Sequence, residues 1–125
     1  MAIALRNSTD FKLMSGHEFL FFPALCIGVQ SFIMGGPGNI LAGLCVEILQ
    51  QYQRGNIDEA RQQFIKMMEF LQALYALPSG ALAAVKGVLK ILGLCGPRMA
   101  HPNATVTDDE LKRIEKLMSQ TELFN

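Results

Sequence analysis

The sequence predicts an α/β chain that opens with a strand–helix–strand unit and continues as helices. Three observations carry this. No charged side chain occurs from Phe19 to Val46, although Asp, Glu, Lys and Arg make up 18% of the residues. A stretch that apolar must be hidden from water by protein or by lipid. Pro23, Gly28, the Gln30-Ser31 step and Gly35-Gly36-Pro37-Gly38 then cut it into short pieces. Beyond Gly55, apolar residues recur at three- and four-residue spacing, the helical period. Two parallel strands alone leave edges and faces bare. The opening unit therefore reads as part of a larger α/β sheet whose other strands are not among these residues.

Taken in order, Met1–Asn7 reads as the tail of a helix with a basic end at Arg6. Phe11–Ser15 reads as a short strand and Gly16-His17-Glu18 as a turn. Glu18–Ile27 is a helix, with Glu18 favourable at its positive end. Pro23 fits only if the helix starts a few residues before it. Gly28 ends it. Gln30–Met34 is a second strand, apolar on both faces, as parallel strands covered by helices are. Gly35–Asn39 opens a helix from Ile40 to about Arg54, which Gly55 terminates. Asn56 with Glu59 starts the next as a capping-box variant. Its stripe is Ile57, Ala60, Phe64, Met67, Leu71 and Leu74. Pro78-Ser79-Gly80 breaks it. Ala81–Leu92 follows, with Leu82, Val85, Leu89 and Leu92 on one face and Gly93 at its end. Gly96–Val106 is a loop. Thr107 and Glu110 form a capping box for the last helix, Asp108 to about Gln120, which buries Leu111, Ile114 and Leu117.

Composition narrows the function. With 125 residues the chain is one domain or a piece of one, large enough for a core. Eleven basic and eleven acidic residues cancel, which argues against a nucleic-acid partner or an anionic membrane surface. Cys26, Cys45 and Cys95 form no CxxC pair, and His17 and His101 add too little for zinc, so no metal and no cofactor is expected. The cysteines are expected to be buried free thiols in a reducing compartment. The first ten residues resemble neither a secretory signal nor a transit peptide, which points to a cytoplasmic location. A membrane span through the opening stretch is the rival reading; length favours it, while Pro23, Gln30, Pro37 and the glycines oppose it.

The segments LMSGHE, FFPALCIG, SFIMGGPGN, QRGNIDEAR and AAVKGVLKILGL, followed by a GPR…P loop and a T-x-x-E helix, occur here in a particular order. That order is similar to the C-terminal half of the dihydrodipicolinate synthase / N-acetylneuraminate lyase family, over roughly Asn7 to Leu117. The resemblance implies the C-terminal part of a (β/α)8 barrel. Phe11–Ser15 and Gln30–Met34 would be its seventh and eighth strands. Residues 1–55 would then be a partial barrel segment, beginning at the end of the sixth helix. Residues 56–125 would be a three-helix C-terminal extension.

The resemblance also implies class I aldolase chemistry on pyruvate or a related 2-oxo acid, through a Schiff-base lysine on the sixth strand. A proton-shuttling tyrosine lies on the fifth strand, and a glycine-threonine turn after the second holds the carboxylate. None of these is expected in this chain. Lys12 lies at the beginning of its strand, whereas barrel sites form at strand C-terminal ends. No residue here is assigned a catalytic role, and the chain is expected to be inactive alone as a truncated part.

What the resemblance carries over is a substrate-facing wall of Gly16, His17, Glu18, Ile33, Gly35 and Gly36. In sialic-acid-cleaving relatives an acidic residue near Glu18 contacts substrate hydroxyls. Ile33 matches a residue whose backbone carbonyl faces the bound 2-oxo acid. Gly35 and Gly36 replace the serine or threonine of relatives. Ala81 and its neighbours replace an Asn-Pro-Ile-Pro segment frequent in dihydrodipicolinate synthases, which argues against that activity. Each position also has a plainer reading. The glycines serve a tight turn needing positive φ, His17 is a turn residue and Glu18 a helix-start charge. Three classes stay open: part of a Schiff-base lyase, assembling as a homo-oligomer or with a full-length relative; a non-catalytic module that joins such a relative; and a small membrane protein.

Overall fold

The structure, a computed structural model, describes residues 12–124. The expected helix tail at Met1–Asn7 and the start of the first strand at Phe11 lie outside the described residues. Strand β1 (Met14–Ser15) pairs in parallel with β2 (Ser31–Phe32), Met14 opposite Ser31 and Ser15 opposite Phe32. The Ile33 N–H continues the ladder by donating to the Ser15 carbonyl at 2.9 Å. Both strands are shorter than the expected 11–15 and 30–34. Among the described residues each has only the other as a partner, so the ladder spans only what the two share.

The crossover between them is a 3₁₀ turn (Glu18–Leu20) followed by α1 (Phe21–Cys26), where one continuous helix was expected. The split resolves the proline. Pro23 is the third residue of α1, where a backbone N–H has no intrahelical partner in any case. Gly28, at φ +88°, ends α1. Its N–H reaches the Leu25 carbonyl and the Val29 N–H the Ala24 carbonyl, both at 3.0 Å, the paired bonds of a Schellman cap. The same pair of bonds closes the later helices at Gly55 and Gly93.

After β2 the chain forms α2 (Pro37–Ile40) and α3 (Ala42–Gln53). The expected single helix from Ile40 starts earlier, with Pro37 at its first position. It is interrupted at Leu41, whose φ and ψ are −138° and 38°. The break lets consecutive residues Ile40 and Leu41 both enter the core. Helices α4 (Ile57–Tyr75), α5 (Ala81–Ile91) and α6 (Asp108–Ser119) follow, with a 3₁₀ turn at Glu122–Phe124.

Two expected helix features are corrected. Asn56 does not cap α4 with its side chain; its Nδ2 donates to Gln51 Oε1 at 2.8 Å in the preceding helix. On α5 the buried side is Ala83, Ala84, Val85, Gly87 and Val88, while Leu82 and Leu92 are exposed. Small residues win that face because α6 comes close: a Cβ on Gly87 would stand 2.5 Å from Ile114 Cδ1. The Thr107–Glu110 capping box forms in both directions.

The core is one continuous cluster running from Phe21 and Leu25 through Ile48, Met67, Leu71 and Leu74 to Val88 and Ile114. Phe21 ties the strand pair to the helices, its ring 4.7 Å from Phe32 and 6.4 Å from Phe64, edge to face. The apolar opening stretch is therefore strand, helix and turn. Among the described residues no helix is long and apolar enough to cross a membrane. The cysteines divide: Cys45 is buried, as expected, but Cys26 and Cys95 are exposed; all three are free.

Candidate functional site

The parallel pairing of β1 and β2 puts their C-terminal ends side by side. Gly16, His17 and Glu18 leave β1 next to Ile33, Met34, Gly35 and Gly36 leaving β2. Gly16 faces the Ile33 carbonyl, 3.7 Å from where its Cβ would stand. That is ordinary contact, so neither space nor a positive φ requires glycine there. Ile33 directs no side chain into the core; it is 63% exposed. His17 is exposed, and its ring meets the Phe19 ring at 5.7 Å.

Glu18 opens the 3₁₀ turn and is half-buried. Its Oε1 accepts a hydrogen bond from the Tyr75 hydroxyl at 2.8 Å. Tyr75 is the last residue of α4 and also packs edge-on against Phe19, centroids 6.3 Å apart. Burial first, then the hydrogen bond and the negative charge of Glu18, push the Tyr75 phenol well above its ordinary range. The phenol thus stays protonated and acts as a donor, and its single O–H is committed to the carboxylate.

Gly36 completes this group. A Cβ there would overlap the Tyr75 hydroxyl and stand 3.3 Å from Glu18 Oε1. The reading of Gly35 and Gly36 as positive-φ turn residues is corrected: neither has positive φ, and Gly36 sits at −81°. Close approach of a side chain, not backbone conformation, accounts for Gly36. At Gly35 a Cβ meets nothing, and its carbonyl accepts from Asn39 Nδ2.

The six residues therefore fall into a backbone group (Gly16, Ile33, Gly35) and a side-chain group (Glu18, Gly36), with His17 at the rim. Sequence reasoning missed Tyr75. It follows Leu74 directly at the end of an apolar stripe, and nothing local pairs it with a residue 57 positions away.

The lysines give no competing centre. Lys12 is exposed and lies before β1, not on it. Lys66, Lys86, Lys90, Lys112 and Lys116 are all on helices α4 to α6. Among the described residues no group of His, Cys, Asp and Glu is arranged to hold a metal ion.

Comparison with known proteins adds the following. The model of the dihydrodipicolinate synthetase family matches residues 1–121. The 4-hydroxy-tetrahydrodipicolinate synthase of Archaeoglobus fulgidus is 24% identical over 116 residues, 93% of this chain and 39% of that protein. Dihydrodipicolinate synthase from Bacteroides thetaiotaomicron superposes with a TM-score of 0.85 at 22% identity, over 94% of this chain and 40% of that one. A variant of Sulfolobus solfataricus 2-keto-3-deoxygluconate aldolase gives a TM-score of 0.78 at 19% identity, over 93% and 39% respectively. At these identities the structural likeness establishes the fold. The chain spans about two fifths of the length of these barrel relatives.

Proposed function

The chain belongs to the dihydrodipicolinate synthetase family, and from that premise we propose that it forms the C-terminal part of a class I aldolase-type lyase acting on pyruvate or a related 2-oxo acid. In this reading β1 and β2 are the seventh and eighth strands of the barrel. Residues 1–55 complete the barrel wall and residues 56–125 form the helical extension. The observation that carries it is the parallel β1–β2 pair, which sets the segments after both strands beside each other at their C-terminal ends. Barrel enzymes build their sites at that end.

The roles follow from the chemistry of the groups. The Schiff-base lysine lies in another part of the barrel, since every lysine here is on a helix or before β1. A 2-oxo acid held on that lysine presents its carbon chain to this wall. The Ile33 carbonyl and Gly35 give it a backbone surface, and beside Gly36 stand the Tyr75 phenol and Glu18. Glu18, with one oxygen engaged by Tyr75, accepts from substrate hydroxyls through the other. His17 stands at the rim, where it meets the distal end of a longer substrate. This wall binds and orients, and the bond-making lysine is supplied from outside it.

The test is reductive trapping. The purified 125-residue chain, treated with borohydride and pyruvate, is expected to gain no covalent adduct by intact mass. An adduct on any of its lysines would overturn the assignment of the lysine to another part of the barrel.

A second reading is supported by the exposed apolar residues Met14 (52%), Leu20 (54%), Ile27 (50%) and Ile33 (63%), and by a cleft of about 350 Å³ lined by Leu13, Leu20, Pro23 and Ile27. Such a surface suits a non-catalytic module that joins a second copy or a full-length relative. Sedimentation of the chain at high concentration as a monomer, with and without a full-length relative, would count against it.

A further inference from the structure

We infer that Tyr75 is a positioning residue for Glu18, and that Tyr75, Glu18 and Gly36 together make a hydroxyl-selective subsite for the uncharged, polyhydroxylated end of a substrate. The inference rests on the reading of Glu18 as substrate-facing. It adds a residue from the helical segment that holds the Glu18 carboxylate, and a discrimination against anions at that position.

Three features of the structure converge on it. The Tyr75 hydroxyl donates to Glu18 Oε1 at 2.8 Å, a charge-assisted bond of ordinary length. A carboxylate held by one oxygen keeps its lone pairs on the other for an incoming donor. Gly36 is the residue that makes room: any side chain there would strike the phenol oxygen. The ring is held independently by its edge contact with Phe19, the neighbour of Glu18. Tyr75 is also anchored where α4 ends, between buried Leu74 and buried Leu77. The phenol therefore approaches Glu18 from a rigid element, and the glutamate need not be ordered at the moment of binding.

The selectivity follows from charge. A substrate hydroxyl satisfies the free carboxylate oxygen. A carboxylate or phosphate placed there would confront a like charge at close range, with no cation among Phe19, Gly36 and Tyr75, the described groups beside it, to offset the repulsion. Tyr75 cannot turn to serve the anion, because its only proton is already given to Glu18 and leaving would strand a half-buried carboxylate.

The experiment uses the 125-residue chain and two four-carbon probes, erythritol (a neutral polyol) and tartrate (a dianion). Binding is followed through the backbone amide resonances of Glu18 and Gly36. Erythritol is expected to shift both in the unmodified chain, and tartrate to leave them in place. In Y75F the erythritol concentration for half-saturation is expected to rise about tenfold, the usual effect of losing a bond to a charged group. G36A should reproduce that loss, because its methyl occupies the space of the phenol oxygen. In the G36A/Y75F double variant the two losses should not add, since the clash is gone.

Unchanged half-saturation in both Y75F and G36A, with helical circular dichroism intact, would leave Tyr75 a packing group and overturn the inference. Tartrate binding as well as erythritol would overturn the selectivity. If erythritol is silent in the unmodified chain, the reading of Glu18 as substrate-facing fails, and the inference falls with it. If erythritol binds the unmodified chain and Y75F alike, that reading stands and only the inference fails.

Discussion

The strand pair and the helices dispose of their apolar residues in opposite ways. Helices α4 to α6 close over their own core: Met67, Leu71, Leu74, Val88 and Ile114 are all 0% exposed. Around β1 and β2, by contrast, Met14, Leu20, Ile27 and Ile33 each leave half or more of their surface in water. Only Phe21 and Leu25 of the crossover helix are drawn into the common core. The difference separates two kinds of hydrophobic residue. Most of those on the helices serve internal cohesion, Ile65 (48%) and Leu82 (65%) excepted, whereas those beside the strands are left largely open to water. Stability should therefore reside in the helical part, and binding or docking in the strand part.

The largest expected effect breaks the closed side. Leu71→Ala removes a fully buried side chain at the centre of α4 and should cost roughly 2–5 kcal/mol in urea unfolding. A cost below about 1 kcal/mol would mean that the helices are loosely packed and the contrast unreal.

Next comes the polar tie within the helical part. Buried Glu110 accepts from the Thr107 N–H and from the Ser79 N–H, each at 2.8 Å, and so joins the start of α6 to the turn before α5. These backbone donors, Thr107 first, hold its carboxyl at about 2, well below the ordinary range. A depressed folded pKa means that the charged form is favoured by folding. Its stabilisation is full above the ordinary carboxylate pKa and is lost as pH falls from there through about 2. E110Q should flatten that part of the acid unfolding curve, and an unchanged curve would show that other carboxylates set it.

A smaller loss is expected at the boundary of the two parts. Gly28→Ala forces a side chain into positive φ and should cost about 1–2 kcal/mol by thermal or urea unfolding. No loss there would mean that the turn into β2 is not held in its Schellman cap. The smallest effect sharpens the open side. Ile33→Ser should change stability by less than about 0.5 kcal/mol, since little of that side chain is buried. A loss above about 2 kcal/mol would show that this face is covered in solution, for example by a second copy.

Much of the fold was legible because local rules set it. Gly28, Gly55 and Gly93 end helices where the sequence places them, and Thr107 with Glu110 caps the last one. These are short-range hydrogen-bonding patterns that need no distant partner. The stripe of α4 was also legible, since Ala60, Met67, Leu71 and Leu74 repeat at helical spacing and are buried. The failures share a physical cause. On α5 Val85 is buried as expected, but Leu82 and Leu92 were misread as inward, whereas the close approach of α6 at Gly87 favours the small residues Ala83, Ala84 and Gly87. Asn56 was read as a cap, yet its amide found Gln51. In the candidate site the strand-end residues could be named from a family likeness, but Tyr75 could not, and the reason for Gly36 was assigned to backbone rather than to space.

By itself the sequence determined the order of elements, where most helices stop, and the charge-free stretch that becomes the strand–helix–strand unit. Those are fixed by composition, period and backbone chemistry within a few residues of each position. The tertiary structure alone decided which face of α5 is inside, that Leu41 breaks the helix after β2, and that a phenol from the end of α4 reaches a carboxylate after β1 through a gap left by Gly36. Each depends on how closely two distant segments approach, and separation in space is the one quantity that spacing along the chain does not encode.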